Sequence, residues 1–383
     1  MRKTLLQSIL LLVCPLLLPT QIALAGAAAP AVDVAGAKAS LLCETSGGAP
    51  AFSYHAEEKL PVGGLTRLPA LLAVCEGVDQ GKLTLTQTIT VSEEAAAIKG
   101  PSAFLAAYER IEASALMKAA VMICAGDAIH ALSEAAYGSA AACLQQMQAR
   151  LAQLGIEAGY TGLLGAEVRL SAEDLVRLGG ALMQSPTFLA YSNLYYEEIT
   201  HEGGRVTQLA NANKLLKSYV GCGGVATGSS QEAGYCGVFS VNRNGVGYVC
   251  AVIGAPDSNA RFKAAKNALD YGFTAFDVRR AAKAGDVLAE GLPVRGARQN
   301  TVALLAAQDI VLLLPHGESY DTELTYEETL RAPLLANVPV GEARFLDSRG
   351  AILATLQLVP AQDMPAAGLF DFVALALIDW VHG

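Results

Sequence analysis

The chain has 383 residues, 52% of them hydrophobic and 16% charged, and a formal net charge of −9. That length supports two domains with full cores, and that hydrophobic share excludes a disordered chain. The acidic balance offers no basic field to hold a polynucleotide, which excludes nucleic acid as a partner.

Met1-Arg2-Lys3, an apolar run from Leu5 to Leu18 and Ala23-Leu24-Ala25 read as a secretory signal peptide over residues 1–25. An uncleaved N-terminal anchor is the alternative. Cleavage after Ala25 removes Arg2 and Lys3 and no acid, taking the charge from −9 to −11. Cys43, Cys75, Cys124, Cys143, Cys222, Cys236 and Cys250 remain, an odd number that cannot pair fully within one chain. Most lie in apolar runs and read as buried small hydrophobes, with disulfides left open. Neither the cysteines nor the five histidines show metal spacing, so no metal and no cofactor is expected.

Small residues over 26–38 suggest a mobile linker. Ala39–Glu44 alternates as a strand, and Ala51–His55 returns as its hairpin partner after a turn over Thr45–Pro50. Leu60–Leu72 follows, with Gly63-Gly64-Leu65-Thr66-Arg67-Leu68-Pro69 inside it. A helix starting near Gly64 puts Pro69 in its second turn, at a cost of about 3 kcal/mol. That helix is therefore expected to begin later or to kink. Glu112–His130 reads as helices around Cys124-Ala125-Gly126-Asp127-Ala128. Ser139–Leu154 is another helix, and Ser171 caps the next with Asp174 three residues on, close to a capping box.

Val225-Ala226-Thr227-Gly228-Ser229-Ser230 leads into the strand Gly237–Val241. Asn242-Arg243-Asn244-Gly245 then turns the chain into Val246–Ile253, a hairpin signal. Ala255–Phe273 reads as a closing helix. Lys283–Pro293 reads as a charged connection between domains. Short runs such as Ile310–Leu314, and Ala343–Leu346 with Ala351–Leu356 about the turn 347–350, argue for a small all-β domain over 285–360. The apolar tail over 364–383 carries Asp371, Asp379 and His382 on one helical edge. It falls short of the ~20 residues a membrane span needs. It reads as an amphipathic helix lying in the membrane plane, with docking onto its own protein as the alternative.

Leu60–Leu72, Cys124–Ala128, Thr161-Gly162-Leu163, Leu209–Leu216 and Val225–Ser230 together resemble the serine D-alanyl-D-alanine carboxypeptidases, the low-molecular-mass penicillin-binding proteins. The resemblance runs from about Ala39 to Phe276. It implies an α+β fold: a penicillin-binding/β-lactamase-like domain, an antiparallel sheet flanked by helices, over 39–280. It also implies the β-rich C-terminal domain and the C-terminal helix. In that family a serine attacks the peptide carbonyl and a lysine one turn along accepts its proton. A serine and an asparagine follow in a second motif, and a Lys-Thr-Gly strand in a third.

The resemblance places Gly64 at the serine, Arg67 at the lysine, Cys124 and Gly126 at the second pair, and Ala226 at the strand lysine. Gly64 carries no nucleophile. Arg67 keeps a charge but cannot act as a base, its pKa exceeding about 12. Thr66 has a hydroxyl, but two residues along a helix points to roughly the opposite side. No Ser-x-x-Lys occurs in the chain; Ser114 and Lys118 are four apart. Ser240-Val241-Asn242 matches Ser-x-Asn by letters but lies in a later strand. Thr227, Gly228 and Ser229 are the candidate binding residues, on a cleft-edge strand.

Three functions follow from these residues. The first is a non-catalytic envelope protein that binds a peptidoglycan stem peptide or regulates its processing. The second is an enzyme with a relocated nucleophile, Cys124, its thiol lowered by Arg67. The third is a purely structural protein with a closed cleft. His130, six residues after Cys124, reads as structural. The resemblance and the signal peptide imply an exported protein at the extracytoplasmic face of the bacterial cell membrane, held to the membrane surface by its C-terminal helix.

Overall fold

The computed structural model describes residues 32–368 except 46, 47 and 166. The expected signal peptide, the first residues of the linker, part of the 45–50 turn and residues 369–383 of the expected tail helix lie outside the described residues. The chain divides into two compact units: residues 32–281 with 311–318, and residues 282–310 with 319–368.

In the first unit, β1 (Ala39–Glu44) and β2 (Pro50–Tyr54) form the opening hairpin. Three small two-stranded sheets follow. β3 (Leu60–Pro61) pairs with β6 (Arg169–Leu170), β4 (Thr88–Thr90) with β5 (Arg110–Glu112), and β7 (Tyr196–Thr200) with β8 (Val206–Ala210). β9 (Cys222–Ser230), β10 (Gly234–Arg243) and β11 (Val246–Ala255) complete a five-stranded antiparallel sheet in the order β2-β1-β11-β10-β9. Strand geometry sends successive side chains to opposite faces. Val238, Val249, Ala251 and Ile253 therefore enter one core, and Phe239, Val241, Tyr248, Cys250 and Val252 the other.

Helices cover both faces. α1 (Leu68–Asp79) is buried almost all round, as an apolar central helix must be. α2 (Glu93–Ala96), α3 (Ala113–Ile123), α4 (Gly126–Tyr137) and α5 (Ala140–Gln153) lie along the chain after it. α6 (Ala172–Leu182) presses on the sheet so closely that a Cβ on Gly179 would stand 2.8 Å from Val238 Cγ1. α7 (Pro186–Ser192) and α8 (Leu215–Ser218) are short, and α9 (Ser258–Ala275) packs on the opposite face. The Ser171–Asp174 capping box at the start of α6 forms in full.

Pro69 resolves as a late start. Gly63–Arg67 is a turn of 3₁₀ helix and α1 begins at Leu68, so Pro69 stands in the first turn, where no amide partner is lost. Residues 32–38, expected as linker, are packed: Val32, Val34 and Ala35 rest on the core, and the Lys38 amide donates to Ile253 O.

In the second unit, β13 (Val287–Arg295), β14 (Thr301–Ala306), β16 (Asp321–Tyr326), β17 (Leu330–Arg331), β18 (Gly341–Leu346) and β19 (Ile352–Pro360) form one sheet, ordered β16-β18-β19-β14-β13-β17. The expected connection Lys283–Pro293 is thus mostly strand. Alternate residues Leu292 and Val294 of β13 are buried, and the strand's two charges, Glu290 and Arg295, did not outweigh that. β12 (Phe276–Ala282) pairs with β15 (Ile310–Pro315), and residues 311–318 group with the first unit. Met364 and Ala366 make single β-bridges to Leu334 and Ala297, so the expected tail helix does not begin at 364.

Candidate functional site

A cleft of about 870 Å³ opens in the first unit. One wall is helical: the 3₁₀ turn, the end of α3 and the loop 97–101. The other is β9. Gly64, Arg67, Cys124, Ala226, Thr227, Gly228 and Ser229 all line it. The sequence-expected positions therefore converge, although they lie up to 165 residues apart. Gly126 is the exception, standing behind Arg67.

Arg67 dominates the helical wall. It is 8% exposed, and its guanidinium is spent on backbone carbonyls. Nη1 donates to Cys124 O at 2.8 Å and to Pro101 O at 3.1 Å, and Nη2 to Lys99 O at 3.1 Å. These bonds tie the end of α3 to the loop 99–101. Burial pulls the Arg67 pKa down, while Cys124 and Asp127 oppose that pull. An arginine stays charged through such shifts and gives no base.

The residues around Arg67 are small because it is large. A Cβ on Gly126 would stand 2.7 Å from Ile98 Cγ2 and 3.1 Å from Arg67 Cζ, and one on Gly100 would stand 2.8 Å from Arg67 Nη2. Gly64 is different: a Cβ there meets nothing nearer than Gly228 Cα at 4.0 Å. The bare position has room for a side chain it does not carry.

Cys124 caps α3 in the left-handed region, φ 48° and ψ 44°. Its thiol is buried, and that burial pushes it up to about 11 against a weaker opposing pull from Arg67. The expected lowering of this thiol is therefore reversed, because desolvation exceeds the effect of a guanidinium already engaged by carbonyls. All seven cysteines within the described residues are free.

Asp127 follows on α4 and organises the adjoining loop. Its carboxylate accepts from Ser102 Oγ at 2.6 Å and from the amides of Ala103, Leu105 and Ala128. Thr66 donates its hydroxyl to Leu164 O at 2.7 Å. His130 lies 3.4 Å from Glu134, a contact within one helix. Ser240 donates to Gly224 O and does not line the cleft.

The β9 wall is open. Among the described residues β9 has β10 as its one sheet neighbour, which leaves its other edge unpaired, as an edge that takes up an extended chain must be. Gly224 and Val225 carry φ of 103° and 140° just before Ala226, and the β9–β10 register shifts at that point. Such a bulge turns the strand edge. Gly228 sits so near the 3₁₀ turn that a Cβ on it would lie 3.0 Å from the Gly64 and Leu65 amides.

Sequence reasoning missed Arg261. It is 5% exposed, on the buried face of α9, and lines the cleft beside β9. Nη1 donates to Cys236 O at 3.1 Å and Gly228 O at 3.4 Å, while its buried Nε has no partner. Nη2 lies 3.4 Å from Ser258 Oγ, and the guanidinium stands 4.6 Å from the Phe262 ring centroid. The signal was present: Arg261 shares the i, i+3, i+7 stripe with Ala264 and Ala268, where a cation is out of place.

Among the described residues lining the cleft, no serine, threonine or cysteine side chain is hydrogen-bonded to a lysine or histidine. A nucleophile with its base in reach is what acyl transfer needs.

Two family models match this chain. That of the D-alanyl-D-alanine carboxypeptidases covers residues 25–257, and that of the penicillin-binding protein 5 C-terminal domain covers 276–366. D-alanyl-D-alanine carboxypeptidase DacF of Bacillus subtilis is 24% identical over 351 residues, 90% of each chain. DacA of Escherichia coli is 26% identical over 369 residues, 92% of this chain and 90% of that one. Among solved structures, penicillin binding protein 5 from Haemophilus influenzae superposes with a TM-score of 0.80 at 22% identity, over 89% of this chain and 100% of that one. A peptidoglycan synthesis regulatory factor from Streptococcus pneumoniae gives a TM-score of 0.67 at 22% identity, over 86% of this chain and 99% of that one.

Proposed function

This chain belongs to the D-alanyl-D-alanine carboxypeptidase family of peptidoglycan metabolism, and from that premise we propose that it binds a stem peptide without cleaving it. The observation that carries the reading is Arg67. This cation, one turn after Gly64, is bound to three carbonyls, and Gly64 itself has no atom to attack with. In serine hydrolases, loss of the nucleophile or base costs about 10⁶ in rate. Losing both leaves a cleft that can only bind.

The binding half rests on β9 and Arg261. An extended peptide pairs with the free β9 edge, and its terminal carboxylate meets the Thr227 hydroxyl and the Arg261 guanidinium. The open volume of the cleft argues against a purely structural role. The raised thiol of Cys124 argues against relocated chemistry there, because the thiolate is the nucleophile. Export and attachment at the extracytoplasmic membrane face belong to the same proposal. Their support is the N-terminal sequence pattern and the family's place in the envelope. No helix among the described residues is long and apolar enough to cross a membrane.

Two measurements on the purified chain test this. Calorimetry with a diacylated Lys-D-Ala-D-Ala peptide should show reversible binding. A fluorescent β-lactam should leave no acyl adduct by mass. An adduct, or steady release of D-alanine, would overturn the non-catalytic reading; absence of binding would overturn the rest.

A further inference from the structure

Phe104 and Tyr108 stand out on the loop that leaves the cleft. They are 68% and 66% exposed, and both hold left-handed backbones, φ 60° and 64°. Bulky residues rarely adopt that region, and they persist there only when their surroundings force them to. The surroundings here are well built. Asp127 gathers the 102–105 backbone from one side. From the other, the buried Glu109 accepts from the Ala106 amide, and its second oxygen lies 2.6 Å from His201 Nδ1. His201 Nε2 lies 2.8 Å from Thr207 Oγ1, and Arg205 donates to Phe104 O at 2.7 Å. Tyr108 donates its hydroxyl to Glu93 at 2.6 Å, which fixes the ring.

Holding two exposed aromatic residues in strained backbone, one with its ring tied to Glu93, makes no sense for packing, since neither residue is buried. It does make sense for a ligand that needs a rigid flat surface, because pre-organisation removes the cost of ordering on binding. We propose that Phe104 and Tyr108 form a stacking platform for the N-acetylated amino-sugar strand to which a stem peptide is joined. The proposal rests on the stem-peptide reading above. Lys99 and Pro101 of the same loop line the cleft. Phe104 lies three residues beyond Pro101, so its Cα is within about 10 Å of it. A peptide in the cleft thus brings its sugar to this loop. Pyranose rings present a flat C–H face that packs on an aromatic ring, with hydroxyls at the edge. Glu93 and Arg205, each bonded to one of the two residues, supply polar groups for those hydroxyls. A pair of rings set among charges suits a sugar better than the wider apolar patch of a protein interface.

The test uses the full chain and three probes: a free pentapeptide ending in D-Ala-D-Ala, the same peptide on its disaccharide, and a peptide-free tetrasaccharide of the same sugars. The disaccharide-bearing peptide should bind about tenfold more tightly than the free one, a difference of about 1.4 kcal/mol. Phe104→Ala with Tyr108→Ala should abolish that ratio and leave the free-peptide affinity unchanged. Tyr108→Phe, which keeps the ring but removes its bond to Glu93, should lower the ratio by less than the double change does. Phe104→Gly should lose its share of the ratio with an unfolding midpoint equal to or above that of the parent chain, since glycine accepts the left-handed backbone. A ratio of one in the parent chain, or a ratio that survives the double change, overturns the platform. If the free peptide fails to bind while the tetrasaccharide binds in a ring-dependent way, the stem-peptide reading falls and the platform stands.

Discussion

The two walls of the cleft have taken different courses. On the helical wall the buried charged groups are engaged internally: Arg67 spans three carbonyls, Asp127 four donors, and Gly100 and Gly126 are cut back to admit the guanidinium. On the β9 wall, among the described residues, the outer strand edge has no partner strand and the buried Arg261 Nε has no hydrogen-bond partner. The helical wall is thus held by its own contacts, and the strand wall presents an unpaired edge to the cleft.

The largest expected effect tests the first half of that contrast. Arg67→Ala leaves the Lys99, Pro101 and Cys124 carbonyls without their donor and opens a void. Each stranded buried group costs about 1–3 kcal/mol, so a total near 3–5 kcal/mol is expected by urea unfolding. A loss below about 1 kcal/mol would mean that Arg67 is not the tie described.

Next is Gly126→Asn, which sets a Cβ against Ile98 and Arg67. Overpacking of this kind costs about 1–3 kcal/mol. Because the clash is with Arg67, the cost should shrink when Arg67→Ala is already present, a coupling read from a double-mutant cycle. Simple additivity would separate the two residues.

The β9 wall is tested by Arg261→Lys, which keeps the charge but removes the fork and Nε. Affinity for a D-Ala-D-Ala peptide with a free carboxylate should fall about 10–100-fold, in line with charge-assisted bonds of about 1.5–3 kcal/mol. A peptide with an amidated C-terminus should bind weakly to both forms. Equal losses for acid and amide would move the carboxylate elsewhere.

Alkali tests the buried thiols. Burial pushes Cys124 up to about 11, and Cys43 and Cys250 up to about 12. An unfolded thiol titrates near 8.5, so the unfolded state loses the proton first. The stability these thiols contribute is whole below that value and declines as pH rises toward 11–12, by about 1.4 kcal/mol per pH unit for each thiol. Denaturation midpoints flat across that range would show the thiols reached by water. The smallest expected effect is none. Gly64→Ser fits sterically, yet with Arg67→Lys it should not restore D-alanine release, because Gly126 and Ala226 still supply no polar side chain. Substantial hydrolysis would mean that the helical wall is only nominally rebuilt.

Much was legible in the sequence. Alternation and turn residues gave β1, β2, β10 and β11, and the Ser171 cap gave α6, because these depend on neighbours within a few residues. The substituted positions were legible too, since a missing hydroxyl or a guanidinium for an amine is a fact of covalent structure. The β13 strand was misread as a connection because its two charges hid an alternation that is buried only once β14 pairs with it. Arg261 was missed because its importance depends on Gly228 and Cys236, 33 and 25 residues away.

The sequence by itself determined the scaffold and the absence of a nucleophile at Gly64. Only the tertiary structure decided what became of the cation at Arg67. Whether a guanidinium faces a ligand or is consumed by carbonyls depends on groups brought from Lys99, Pro101 and Cys124, and the chain meets those only when α1, α3 and the loop between them close together.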